Sequence, residues 1–378
     1  MLANMPTAEP PLKYAQPIFG GQDFRQFYAG ARLLVHGHNP YDWHQVKALQ
    51  QVDWYDTVHV SVSPPSTFLP YIAFAPLPYA AAMYAHVAMN VVLLTLLAVG
   101  WRRLLFPHQP NLSWLFGFGL WIWMPVMLLV AIGQVSAMVL AGFTGWLLAM
   151  RSQRSAWAGA ALLLCWIKPH LGLPLLAFAV SIHVRQRMWS SLLIFAMGTL
   201  LLLLLPLAFR PAVYAEWHVM LDRSPPTQWL TATLQAWGRE HFSQLFYPIG
   251  LSLWGASLLL AALWGWRSAG KPRASWAADG VLLLTLDLMI AIHAFSYDYV
   301  LLLPGFLAGL GVWQLYKAPA ALLWLVLDGF FFAVKVLAWI NEWDLWLVAW
   351  LALPLTLLLL VRGPILSEAE STTMPTTP

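Results

Sequence analysis

Long apolar runs, separated by short basic turns, constrain this chain more than any other feature. A spanning helix needs about 20 predominantly apolar residues. On that criterion eleven segments stand out: 79–100, 112–132, 135–150, 156–168, 171–184, 189–209, 249–266, 276–293, 299–316, 319–336 and 344–361. Of 378 residues, 60% are apolar, 10% are charged and 23 are tryptophan. A soluble domain carries about a quarter charged residues. The sequence therefore predicts an all-α fold, a polytopic transmembrane helical bundle of about 11 spans.

The basic residues orient that bundle. Arg102, Arg103, Arg151, Arg154, Arg185, Arg187, Arg267, Lys271, Arg273, Lys317 and Arg362 all fall in turns on one side, eleven of the twenty Lys and Arg. The short turns on the other side hold only Lys168 and Lys335. Since short cytoplasmic loops collect Lys and Arg, three regions are expected. Residues 1–78 form an extracytoplasmic N-terminal segment; 79–362 form the transmembrane domain, with an outer loop at 210–248; 363–378 form a disordered cytoplasmic tail. An outer segment with no hydrophobic stretch ahead of it has no evident way across the membrane, so either a span preceding residue 1 is expected to be missing or the span at 79–100 draws its own N-terminus across, helped by Arg102 and Arg103.

A net charge of +4 in such a chain serves loop orientation, and nucleic acid is not an expected partner. Membrane lipids are. The single cysteine, Cys165, excludes a disulfide framework and a Cys-rich zinc site. There is no phosphate-cradling glycine loop, His-Glu-x-x-His or serine elbow. Asp53-x-x-Asp56 and Glu342-x-Asp344 are acidic pairs of the kind solvated loops contain routinely. No metal and no other cofactor is expected.

Residues 22–37 carry Phe24, Phe27, Tyr28, Ala31, Leu34 and Val35 at helical spacing, with Gly37 as a stop. Asp23 falls in the first turn, where it is either an N-cap or a reactive carboxylate; Arg25 and Arg32 project from the helix. Asp42, after the turn His38-Asn39-Pro40-Tyr41, is a second N-cap candidate. Segments 156–168 and 171–184 are short: thirteen residues at about 1.5 Å each reach about 20 Å. The turn Lys168-Pro169-His170 is thereby expected below the outer surface. There Lys168 either meets an anionic ligand such as a lipid phosphate or snorkels outward. His170 can donate to the same oxygens or bond locally. Asp287 and Asp328 lie within spans, where a carboxylate is costly, and Lys335 shares a helix face with Asp328. His293-Ala294-Phe295-Ser296-Tyr297-Asp298-Tyr299 gathers polar and aromatic groups at the mouth of two spans, as a carbohydrate or phosphate site or an aromatic belt would.

In order along the chain, these segments resemble the family 87 glycosyltransferases of the GT-C superfamily. The resemblance rests on Asp23-Phe24 through Tyr28-Ala29 to Gly37-His38-Asn39-Pro40-Tyr41-Asp42, then Pro64-Pro65, Ala75-Pro76-Leu77-Pro78-Tyr79 and Gly133-Gln134. It continues through Ala158-Gly159, Lys168-Pro169-His170-Leu171-Gly172 and Phe295-Ser296-Tyr297-Asp298-Tyr299, so that it covers roughly residues 20 to 310. Two departures are the missing span before Asp23 and Asn39, where the family often has an acid.

The resemblance implies a multi-pass enzyme of the cell membrane, the bacterial inner membrane, with its active site on the extracytoplasmic side. It implies transfer of a sugar, typically mannose, from a polyprenyl-phosphate donor to a glycan or lipid acceptor with inversion. Asp23 is the implied general base. Arg25, Arg32, Tyr41, Gln134, Lys168, His170, His293, Tyr297 and Asp298 are the implied substrate-binding residues. Two other readings compete with it. Asp287 and Asp328 would suit a non-enzymatic transporter or flippase for a lipid-linked sugar, although no internal repeat supports one. A polymerase or ligase of preassembled glycans would want a larger outer domain than 210–248, whose Trp217, His218, Arg223, Pro225-Pro226 and Trp229 suit a cover over the acceptor.

Overall fold

The computed structural model describes residues 22–50, 60–224 and 246–316, together with Thr233, Gln235, Gly238 and Arg239. The expected spans 319–336 and 344–361, the tail from 363, Asp328, Lys335 and both acidic loop pairs lie outside the described residues. Among the described residues every element is an α-helix or a 3₁₀ turn. The chain divides into two compact units: Met1–Val91 with Val130–Gln134 and Thr199–Pro225, and Val92–Leu129 with Val135–Gly198 and Pro226–Pro378.

The first unit is organised on helix α1, Gln22–Val35. Its apolar stripe is buried at Phe24, Phe27, Tyr28, Ala31 and Leu34, while Val35 is half-exposed. Gly37, at φ +72°, ends the helix. Its N–H donates to Leu34 and that of His38 to Leu33, the paired closure that a left-handed residue permits. Asp42 caps the next helix, α2 (Trp43–Gln50), by accepting from the Gln45 N–H at 2.9 Å. The 3₁₀ segment Pro65–Phe74 packs on α1 where Gly30 leaves room for the Phe68 ring. Arg210 ties the returning chain down, with Nη1 donating to the Gly37 carbonyl at 2.8 Å and Nε donating to Glu216 at 2.8 and 2.9 Å.

In the second unit, helix α6 (Ser136–Arg151) is buried on nearly every face, as a helix apolar all round must be. It packs against α7 (Ser155–Leu162), the 3₁₀ turn Leu163–Ile167, and α8 (Pro169–Arg185). Gly142 faces the Ala161 carbonyl and the Cys165 sulfur, and Gly172 faces the Cys165 carbonyl; small residues of this kind let membrane helices approach closely. Trp146 Nε1 donates to His183 Nε2 at 2.9 Å, and Trp101 Nε1 to Thr144 Oγ1 at 2.8 Å. At one end of these helices basic side chains satisfy the terminal carbonyls: Arg151 donates to Arg103 at 3.0 Å, Arg273 to Met150 at 2.7 Å, and Arg185 to Trp266. Cations suit helix C-termini. The opposite ends of α6 and α8 begin at Ser136 and Pro169.

Four described helices are long and apolar enough to cross a membrane: Tyr79–Leu105, Trp189–Phe209, Pro248–Ser268 and Tyr297–Leu315. A fifth counts if the pair Pro110–Ile122 and Pro125–Ile132, bent by 58°, is one span. The expected segments 135–150, 156–168, 171–184 and 276–293 are helical but shorter, the second because a 3₁₀ turn finishes it. At about 1.5 Å per α-helical residue and about 2.0 Å per 3₁₀ residue, α7 and its extension reach about 22 Å, short of the hydrocarbon core's roughly 30 Å. Among the described residues the protein is all-helical, with four or five helices long and apolar enough to cross a membrane; two of the eleven expected spans fall outside those residues.

Candidate active site

In the first unit, Asp23 lies inside the first turn of α1, not ahead of it, and its half-buried carboxylate meets two side-chain amides. Gln26 Nε2 donates to Oδ1 at 3.0 Å, and Gln134 Nε2 donates to Oδ2 at 2.7 Å. Gln134 is placed by Gly133, which sits at φ +77° with a Cβ position only 2.5 Å from Phe24 Cβ. No other residue fits there without displacing one of the two. Phe24 stacks on His86 at 4.7 Å between ring centres. The Tyr71 phenol is fully buried with no hydrogen-bond partner. Burial first, and then the charge of Asp23, pushes it well above the usual tyrosine range, so it stays protonated.

The other residues expected on this side have structural partners. The Arg25 guanidinium lies 6.0 Å from the Tyr79 ring centre. Arg32 donates to the Tyr28 hydroxyl at 2.8 Å, which in turn donates to the Leu77 carbonyl at 2.6 Å. Tyr41 is buried, and its hydroxyl donates to the Ser63 carbonyl at 2.7 Å.

In the second unit, Lys168, at the head of α8, is 7% exposed. Its Nζ donates to Asp298 Oδ1 at 2.6 Å and lies 4.8 Å from the Tyr297 ring centre, a cation–π arrangement. Asp298 is fully buried; Oδ1 also accepts from Ser136 Oγ, and Oδ2 accepts from the Phe295 N–H at 3.0 Å. The rings of His170 and His293 stack at 3.8 Å, and His170 Nε2 is buried with no hydrogen-bond partner. Two stretches of chain, 168–170 and 293–298, thus bring together Lys168, His170, His293, Tyr297 and Asp298.

Lys168 does not snorkel outward: Asp298, 130 residues away in sequence, pairs with it. An ammonium has three N–H donors, and one of them goes to Asp298. Asp287 behaves otherwise: both its oxygens are buried and neither has a hydrogen-bond partner. Ser136, His86 and Asn90 were not anticipated. The signal for the last two was present, as polar residues four apart on an apolar helix are costly unless they serve something. Among the described residues, no three His, Cys, Asp or Glu side chains gather as a metal ion requires.

The chemistry available is a half-buried carboxylate that can take a proton and, separately, a set of N–H donors suited to an anion. The family model for glycosyltransferase family 87 matches residues 62–310, more than half of the chain. The chain belongs to glycosyltransferase family 87. No curated protein and no solved structure matches it. As a family 87 glycosyltransferase it takes a sugar donor and an acceptor, which sets the carrier reading aside. The matched stretch contains Gln134, Lys168, His170, His293, Tyr297 and Asp298, whereas Asp23, Arg25, Arg32 and Tyr41 precede it.

Proposed function

We propose that this glycosyltransferase moves a sugar, mannose, from a polyprenyl-phosphate donor to an extracytoplasmic glycan or lipid acceptor with inversion at the anomeric carbon. The observation that carries the reading is the Asp23 carboxylate, oriented by Gln26 and Gln134 and half-open to its surroundings. An acceptor hydroxyl holds its proton tightly near neutral pH. As its oxygen bonds to the anomeric carbon, Asp23 takes that proton and the bond from carbon to phosphate oxygen breaks. General-base assistance of this kind contributes about 10²- to 10⁴-fold. The departing polyprenyl phosphate needs no proton, but its charge needs donors. Lys168, with two N–H groups beyond the one given to Asp298, and His170 and His293 supply them where water is scarce. The arginine-capped helix ends suit the cytoplasmic face, and Ser136 and Lys168 begin the opposite ends of their helices.

Radiolabelled polyprenyl-phosphate mannose supplied to membranes containing the chain tests this. Transfer should fall by about 10²-fold or more in Asp23→Asn, with donor half-saturation unchanged, while Lys168→Ala should raise donor half-saturation. Wild-type turnover in Asp23→Asn removes Asp23 from the mechanism. Unchanged donor dependence in Lys168→Ala removes the phosphate role.

A further inference from the structure

Behind Gln134 lie two polar side chains with no part in the mechanism above. Asn90 and His86 stand one turn apart on helix α3 (Tyr79–Leu105), the longest apolar helix described, and both are fully buried. Asn90 Nδ2 approaches the Gln134 carbonyl at 3.4 Å and His86 Nε2 at 3.0 Å. A backbone carbonyl can only accept, which fixes the orientation of the Asn90 amide. Its second N–H then points toward His86 Nε2. His86 in turn stacks on Phe24, the neighbour of Asp23 in α1. The chain of contacts closes on itself: Asp23 to Gln134 through the side chain, Gln134 to Asn90 through the backbone, Asn90 to His86, and His86 to Phe24.

Buried amides and imidazoles destabilise an apolar helix unless they are bonded, and leucine or phenylalanine would fill the same volume without that cost. We infer that His86 and Asn90 are positioning residues for glycosyl transfer. They hold the Gly133-Gln134 backbone so that the Gln134 amide aims the Asp23 carboxylate at the acceptor hydroxyl. The inference rests on Asp23 being the general base. Neither residue touches the reacting atoms, so the effect falls on turnover and not on donor binding. Displacement of a catalytic group by about 1 Å costs on the order of 10²-fold.

Asn90→Leu keeps the volume and removes both donated bonds; His86→Phe keeps the stack on Phe24 and removes the acceptor. Each is assayed with radiolabelled polyprenyl-phosphate mannose, alone and combined with Asp23→Asn, and normalised to the amount of folded protein from thermal melting in detergent. Turnover at saturating donor should drop by about tenfold to a hundredfold, donor half-saturation should hold, and neither change should lower the residual rate of Asp23→Asn further. Wild-type turnover in His86→Phe or in folded Asn90→Leu, with Asp23→Asn inactive, overturns the positioning role alone. Turnover and donor half-saturation moving together overturn it also, in favour of a packing role. Activity retained in Asp23→Asn is a different failure, that of the general-base reading itself.

Discussion

Lys168 Nζ lies 2.6 Å from Asp298 Oδ1, with the two side chains 8% and 0% exposed. The pair joins the head of α8 to the 3₁₀ turn Ser296–Leu302, and Ser136 adds a third partner to the same carboxylate. Removing one partner of a buried pair leaves an uncompensated charge and costs about 3–5 kcal/mol, whereas replacing both with apolar groups is often neutral. Asp298→Asn should therefore lower the thermal midpoint sharply in detergent. The double variant Lys168→Met with Asp298→Leu should regain most of that loss yet stay deficient in sugar transfer. A double variant as unstable as Asp298→Asn would mean that the other bonds to Asp298, and not its charge, hold this turn.

Gly133→Ala tests the hinge on which Gln134 depends. A non-glycine residue at φ +77° is strained by about 1–3 kcal/mol, and the added methyl would also meet Phe24 Cβ at 2.5 Å. The variant should lose stability on that scale and lose transfer disproportionately, because the shift moves Gln134 away from Asp23. Transfer that falls only in step with the folded fraction would separate Gly133 from the site.

What the sequence made legible was local. Gly37 as a stop, Asp42 as a cap and the buried stripe from Phe24 to Leu34 each follow from a few neighbouring residues, and each is present. Lys168 stood out for the same reason, as a cation in an apolar stretch. Its partner did not, because a contact over 130 residues leaves no trace in spacing. Helix lengths were less legible, since an apolar run is equally compatible with an α-helix, a 3₁₀ turn or a bent pair. Leu163–Ile167 and the 58° bend after Ile122 show both departures. Ser136 was invisible as a site residue, being one serine at the start of a buried helix until Asp298 gives it a role.

Tyr71 and Tyr41 give a signature at high pH. Burial raises both phenols well above their usual value, helped by Asp23 at Tyr71 and by Tyr214 and Glu216 at Tyr41. The unfolded chain ionises its tyrosines near pH 10, before these two can ionise in the folded state. Their contribution to stability is fully present below that value and is lost as pH rises above it toward the folded values. The thermal midpoint should decline above about pH 10. Tyr71→Phe should flatten part of that decline, and tyrosinate absorbance should lag in the folded protein. An unchanged decline in Tyr71→Phe would place its cause elsewhere.

Sidedness can be read chemically, because the native thiol is silent: Cys165 is fully buried. Gly270 lies in an exposed turn where an added Cβ meets first the flexible end of Arg185, at 3.3 Å, so Gly270→Cys should fold. If the arginine-capped ends face the cytoplasm, as proposed above, an impermeant thiol reagent added to intact cells should leave Gly270→Cys unlabelled until the membrane is opened. Pro225→Cys, in the segment 210–248 that the sequence places outside, should on the same orientation react at once. The reverse pattern would turn the whole arrangement over. It would place Lys168, Ser136 and Asp298 toward the cytoplasm, and an extracytoplasmic acceptor could not then be the substrate.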